Sequence, residues 1–320
     1  MAKTKNLKYD VMTIGGATRD IMFYSGDGEM INTGNIAKQK LLAFEYGTKI
    51  LAEKLYFSFG GGAANAAASF ASLGLKTAIV AAVGDDDVGK TIQANLKQKK
   101  IESNYVSVMK NVGTGFSMIL TVNGGSHDHI AFLYRGANDL LSAKQLPADL
   151  SITRWLYISS LPMANWKGIM DRAVKSGAMI AWNPGRQQLD DIKSLKTFLP
   201  KVNVLMVNHD EALEFKKLKD IKSLLKDIHQ LGPKIVVITD GGNGAYVYDG
   251  KIYHFMKAVK GPRLDTIGVG DSFGSAFVSA LAYGKPIKRA LTWGIRNAGS
   301  VVGKIGAQNG ILTKRQIDRV

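Results

Sequence analysis

Short apolar runs rich in β-branched and aliphatic residues alternate with segments of helical periodicity along almost the whole chain, and this rhythm restricts the fold more than any other feature. The strand-like runs are Tyr9–Ile14, Thr77–Val83, Trp155–Ser159, Met179–Asn183, Val204–Asn208, Ile235–Thr239 and Ala245–Tyr248. Between them lie helical patterns at Ala63–Leu73, Asp86–Lys99, Trp166–Ser176, Ile221–Leu231, Asp271–Tyr283 and Ile287–Lys304. Strands that read as nearly continuous apolar runs, separated by helices, predict an α/β fold: a mostly parallel sheet covered by helices on both faces. Two stretches break the rhythm. Ile21–Phe59 is long and mixed in polarity, and Phe116–Tyr134 reads as two strands, Phe116–Val122 and His129–Tyr134, around the turn-prone Asn123-Gly124-Gly125-Ser126. No Pro/Ser-rich linker or internal repeat occurs. The expectation is one domain over 1–320 with a small β-rich lid built from segments about 21–59 and 116–134.

Composition supports a packed core, since 46% of the 320 residues are apolar. The absence of cysteine excludes disulfides, thiolate metal sites and a thiol nucleophile, and fits a cytoplasmic protein. The apolar run Val11–Gly16 is too short for a signal-peptide core, and no run approaches the roughly 20 residues that span a bilayer. A soluble intracellular protein that does not engage membranes is expected. The net charge of +16 suits an anionic partner, but the lysines in Lys90–Lys110, Lys216–Lys226 and at the C-terminus are interleaved with apolar residues at helical spacing. They read as solvated helix faces, and no sequence-specific nucleic-acid site is expected.

Four clusters carry chemistry. Asp265-Thr266-Ile267-Gly268-Val269-Gly270-Asp271 precedes a small and apolar helix, so its glycines permit tight turns that aim backbone N–H groups and a helix N-terminus at an anion. An Asp at a helix start is also an ordinary cap, but a second acid at Asp265 within one glycine run is harder to explain that way. Gly60-Gly61-Gly62-Ala63-Ala64-Asn65 opens a helix of small residues; it fits a dinucleotide fingerprint poorly, which disfavours a nicotinamide enzyme. Thr239-Asp240-Gly241-Gly242-Asn243-Gly244 follows a strand and reads as a hairpin turn able to wrap a triphosphate. Asn208-His209-Asp210-Glu211 closes a strand and reads equally as a helix cap. No Walker loop is present.

In this order the four clusters resemble those of the phosphofructokinase B or ribokinase-like carbohydrate kinases. The family's DTxGAGD stands as Asp265–Asp271, its GGxGAN as Gly60–Asn65, its N-x-x-E as Asn208 to Glu211, and its nucleotide loop as Thr239–Gly244. Gly15-Gly16-Ala17-Thr18-Arg19-Asp20 looks like the family's first strand end with its sugar-binding acid, and Arg135–Asn138 and Gly306-Ala307-Gln308 also have counterparts. The similarity runs from about Tyr9 to Gly310. Val269 replaces an Ala and Ala63 a Gly of the family pattern, and Ser160-Leu161-Pro162 stands where ribokinases proper carry an acidic sugar ligand, which puts ribose itself in doubt.

The resemblance implies a ribokinase-like fold and an ATP-dependent phosphotransferase acting on an alcohol group of a sugar or related polyol. Asp271 would be the general base, with Gly268, Val269 and Gly270 as the anion hole. Asp20, Gly60, Gly61 and Asn65 would bind the acceptor, and Asn208, Thr239, Gly241, Gly244 and Asn297 the nucleotide. Mg²⁺ would be held at Glu211 through water, with Asn208 and Asn183 assisting, while Asp265 and Gly306 resemble parts of a monovalent-cation site for K⁺. A homodimer through the lid is a further expectation. Three alternatives stand beside this reading: a nucleoside kinase of the same fold, a non-catalytic sugar- or nucleotide-binding regulator, and nucleic-acid binding through one contiguous basic face. The scattered His127 and His129 read as lid-surface residues rather than metal ligands.

Overall fold

The computed structural model describes residues 7–35, 38–122, 129–217 and 220–319. In chain order its strands are β1 (Tyr9–Ile14), β2 (Thr18–Ser25), β3 (Glu29–Asn35), β4 (Lys38–Ala43), β5 (Lys54–Gly60), β6 (Thr77–Gly84), β7 (Glu102–Met109), β8 (Phe116–Val122) and β9 (Ile130–Tyr134). They continue with β10 (Thr153–Ile158), β11 (Met179–Trp182), β12 (Val204–Asn208), β13 (Ile235–Thr239), β14 (Ala245–Tyr248) and β15 (Tyr253–Met256). The helices are α1 (Gly62–Ser72), α2 (Asp87–Gln98), α3 (Trp166–Lys175), α4 (Arg186–Leu189), α5 (Ile192–Phe198), α6 (His209–Phe215), α7 (Ile221–Gln230), α8 (Val269–Ala282), α9 (Ile287–Val302) and α10 (Lys314–Asp318).

Nine strands form one sheet in the order β15-β14-β13-β12-β11-β10-β1-β6-β7. Its pairings are parallel from β13 to β7, and β14 and β15 extend it antiparallel. Alternate residues of each buried strand enter opposite cores, as strand geometry requires. Leu156 and Ile158 of β10 join Trp166, Trp182, Leu224 and Ile228 on one face. Trp155 and Tyr157 join Phe70, Phe273 and Trp293 of α1, α8 and α9 on the other. Each fully buried large side chain contributes about 1.5–3 kcal/mol, which is why both faces of the sheet are covered. No helix among the described residues is long and apolar enough to cross a membrane.

The stretches that broke the rhythm build the rest. A separate four-stranded sheet, β5-β2-β8-β9, and the two-stranded β3-β4 stand apart from the nine-stranded sheet. The turn proposed at Asn123–Ser126, and His127 with it, fall outside the described residues.

Two strands of the nine-stranded sheet were not anticipated. Glu102–Met109 lies in a lysine-rich stretch read as helix faces, yet only its first part, α2, is helical. As the edge of the sheet β7 is only half-buried, so its sequence lacks the apolar run that marks the inner strands. Tyr253–Met256 is the opposite edge and alternates exposed with half-buried residues for the same reason.

Candidate active site

The site grows from the N-terminus of α8. Gly268 caps that helix with φ 69°, and a Cβ there would lie 2.4 Å from Ala307 Cβ, so only glycine fits. The Val269 N–H reaches Thr266 O at 3.5 Å and Ser272 N–H reaches Gly268 O at 2.9 Å. Among the described residues no backbone acceptor meets the N–H groups of Gly270 and Asp271, which are orphan donors of the first helical turn. A second helix N-terminus meets this one. Gly61 caps α1 with φ 88°, and a Cβ there would strike Gly16 O at 2.5 Å. From the first turns, Asn65 Nδ2 donates to Asp271 Oδ2 at 2.9 Å, while Asn65 Oδ1 accepts from Gln308 Nε2 at 3.2 Å. Burial pushes the Asp271 carboxyl up to about 6; the Asn65 bond counters this and the negative charge of Asp20 adds to it.

On one side of Asp271 opens a pocket of about 430 Å³ beneath the four-stranded sheet. The sheet's register lines up Ser58, Asp20, Ser117 and Leu133 across β5, β2, β8 and β9. The next inward-facing row is Met22, Ile119 and Ala131. Polar groups therefore cluster around Asp20, and the floor turns apolar toward β9. Asp20 is buried, accepts from Thr18 Oγ1 at 3.1 Å and is bonded to Ser117; burial pushes its carboxyl up against those bonds. A Cβ at Gly60 would come 2.1 Å from Asp20 Oδ2, so that glycine makes room for the acid rather than facing the pocket. Buried Asn138 holds the loop before β2, accepting from Ala17 N–H at 3.0 Å and donating to Ala17 O at 3.1 Å.

On the other side of Asp271, Asn183, Asn208, Glu211, Thr239 and Gly270 line a small polar pocket of about 220 Å³. Asn208 and Glu211 form a reciprocal cap: Glu211 N–H donates to Asn208 Oδ1 and Asn208 N–H to Glu211 Oε2, both at 2.8 Å. The capping reading of this cluster thus holds, and both residues still face the pocket. Burial raises the Glu211 carboxyl. This pocket opens into a third, of about 380 Å³, between the hairpin turn with Gly241 and Gly244 and an apolar wall of Val259, Ile295, Ala298 and Val302. Arg263 also lines it, with its guanidinium over Gly242, where a Cβ would be 2.1 Å from Nη2.

The three pockets form one cleft at the carboxyl ends of the parallel strands, with Gly268, Gly270 and Asp271 at its centre. Of the expected site residues, Asp20, Gly61, Asn65, Gly268 and Asp271 face the first pocket, and Asn208, Glu211, Thr239, Gly241, Gly244, Val269 and Gly270 the others. Asn297 does not reach the cleft. It is fully buried, with Nδ2 on Ser69 Oγ and Ser272 O and Oδ1 on Leu312 N–H, so its hydrogen-bonding capacity is spent on packing α9 against its neighbours. Asp265 and Gly306 meet directly: Asp265 Oδ2 accepts from Gly306 N–H at 2.8 Å and Oδ1 from Ile267 N–H at 2.9 Å. Arg19 stacks over Phe59, 4.4 Å from the ring centroid, on the sheet face turned away from Asp20. His129 lines the first pocket rather than the lid's outer surface. Ser117 and Arg263 were missed, because a serine in a strand and an arginine in a loop carry no sequence signal.

Comparison with known proteins agrees with this architecture. The family model described as "pfkB family carbohydrate kinase" matches residues 28–314. The chain is 27% identical over 298 residues to the ribokinase of Haemophilus influenzae, covering 88% of this chain and 95% of that one. Among solved structures it resembles the Methanocaldococcus jannaschii nucleoside kinase, with TM-score 0.81, 21% identity and 97% of both chains covered. It also resembles a putative ribokinase II from E. coli in complex with ATP and Mg²⁺, with TM-score 0.79, 20% identity and 97% of both chains covered. The chain belongs to the pfkB family of carbohydrate kinases, enzymes that phosphorylate sugars or nucleosides.

Proposed function

We propose that the protein transfers the γ-phosphoryl group of ATP to a primary hydroxyl of an unphosphorylated polyol, with Asp271 as general base. The observation that carries this reading is the position of Asp271, in the first turn of α8 at the junction of the acceptor-sized pocket and the polar pocket beside the hairpin. The acceptor hydroxyl gives its proton to the Asp271 carboxylate as its oxygen forms a bond to the γ-phosphorus and the bond to the β-phosphate oxygen breaks. The unpaired N–H groups of Gly270 and Asp271, helped by Gly268 and Val269, stabilise the equatorial oxygens in flight, where one such donor is worth about 10²–10³ in turnover.

ATP would lie with its base against Ile295, Ala298 and Val302 and its phosphates along Thr239, Gly241, Gly244 and Arg263. Asn183 Nδ2 is spent on Met206 O and Glu211 Oε2 on Asn208 N–H, which leaves Asn183 Oδ1 and Glu211 Oε1 for other partners. Such an all-oxygen set suits Mg²⁺ held through its waters, an ion that neutralises phosphate charge. The E. coli structure bound to ATP and Mg²⁺ supports the same donor and ion. In this reading Asp265, tied to Gly306, braces the loop behind the anion hole and would be the contact for any monovalent cation there.

The acceptor is neutral in this reading because, among the described residues, no lysine lines the pocket and its one arginine is already engaged by a carboxylate. Arg135, the pocket's arginine, pairs through Nε with Asp139, and Arg19 faces away. The change from Ser58, Asp20 and Ser117 to Ile119, Ala131 and Leu133 favours a ribose carrying a flat apolar group, a nucleoside, over a free sugar that would leave the apolar half unfilled. An ATP-consumption screen over nucleosides, free sugars and sugar phosphates tests this. Turnover should be highest with a nucleoside, and activity confined to sugar phosphates would overturn the assignment.

A further inference from the structure

A row of lysines runs along a part of the molecule that the catalytic cleft does not use. In a parallel sheet all strands begin at one edge, and here that edge lies opposite the cleft. Across the sheet order, Lys234 precedes β13, Lys201 precedes β12, Lys175 closes the helix before β11, Lys8 precedes β1, Lys76 precedes β6 and Lys100 precedes β7. All six are exposed, and none forms an ion pair among the described residues. Arg154 of β10 fills the gap in the row, partly neutralised by Asp10. Glu102, Asp149, Asp249 and Asp318 are further acids near this edge. The opposite edge is rich in acids, among them Asp20, Glu211, Asp240 and Asp271.

Helix C-termini end at this edge and attract cations through their dipoles, which accounts for Lys175. Lys8, Lys76 and Lys234 stand in connections immediately ahead of strands, beyond any last helical turn, so the dipole does not account for them. Six strand spacings of about 4.8 Å make the row about 29 Å long, close to one turn of a nucleic-acid duplex. A membrane surface fits less well, because membrane-lying surfaces pair basic groups with a large apolar face, and among the described residues the exposed large apolar side chains near this row, Leu7, Tyr283, Ile252 and Tyr253, fall at separate points along it rather than in one face. We propose that this edge docks the phosphate backbone of duplex nucleic acid without regard to sequence, leaving the catalytic cleft free on the far side.

The test uses the full chain and a fluorescent random-sequence DNA duplex of about 20 base pairs, titrated from about 50 to 200 mM salt. Four to six phosphate contacts predict a log–log salt slope of about −4 to −5. Lys8→Glu, Lys76→Glu, Lys201→Glu and Lys234→Glu together should weaken binding at least about tenfold at low salt and flatten the slope by about 3. Their melting temperature should stay near the parent's. A control carrying the same charge reversals at Lys54, Lys110, Lys260 and Lys304 should retain most of the binding. No binding at the lowest salt, equal loss in both variants, or binding to phosphatidylserine vesicles but not to the duplex would each overturn the proposal.

Discussion

Asn65 and Asp271, 206 positions apart in the chain, are joined by a 2.9 Å hydrogen bond that brings the first turns of α1 and α8 together. The bond fixes the carboxylate by one oxygen and leaves the other to the pocket. It also offsets part of the burial that raises the Asp271 carboxyl. Four expectations follow from this arrangement and its surroundings.

Asp271→Asn keeps the volume but cannot accept a proton. Turnover should fall by about 10²–10⁴ while nucleotide affinity changes by no more than a few-fold. The same variant should be the more stable protein at pH 8. A carboxyl raised to about 6 from 3.8 is disfavoured in its ionised form, so the penalty is fully present above pH 6 and absent below the unfolded value. The gain should be at most roughly 3 kcal/mol, read as a higher melting temperature at pH 8 that fades toward pH 4. Turnover within a few-fold of the parent would show that Asp271 is only a helix-terminal acid.

The pH profile of kcat/KM should carry an acid limb near pH 6, because only ionised Asp271 is a base and kcat/KM reports the free enzyme. Asn65→Leu removes the bond that lowers this value, so the limb should move to higher pH by up to about one unit. A limb that does not move in the variant would separate Asn65 from the ionisation of the base.

Asp20→Ala should raise the KM for the acceptor by about 10²-fold or more and leave that for ATP within a few-fold, since a site built to pair hydroxyls loses several kcal/mol when one partner is removed. Unchanged acceptor kinetics would mean that the acceptor sits elsewhere.

Gly268→Ala and Gly270→Ala should differ in sign. At Gly268 a Cβ meets Ala307 at 2.4 Å and φ is 69°, so the melting temperature should fall by several degrees. At Gly270 nothing lies within 4 Å and φ is ordinary, so stability should hold or rise by up to about 1 kcal/mol. Equal losses would contradict the close packing of the turn against Ala307.

The inner strands were legible because a strand buried on both faces must be apolar throughout. β1, β12, β13 and β14 match their sequence expectations residue for residue. The edge strands β7 and β15 were not, since one exposed side lets polar residues in. Within the site, the glycine runs advertised themselves because close approaches of backbone to backbone tolerate no Cβ, as at Gly61 and Gly268. Asn297 was misplaced for the converse reason. An asparagine on an amphipathic helix looks the same whether it faces a ligand or, as here, bonds Ser69, Ser272 and Leu312.

The sequence alone determined the layered α/β architecture, the family, and the glycine turn that presents Asp271, because these depend on local periodicity and on backbone conformations that only glycine adopts. The tertiary structure decided which side chains share the cleft. It joined Asn65 to Asp271, set Ser117 beside Asp20, turned Arg19 away and closed Asn297 into the core. It also collected lysines from six separate segments along one edge of the sheet. Those relations depend on strand order and register, which are fixed by packing between segments far apart in the chain, and no local pattern of residues encodes them.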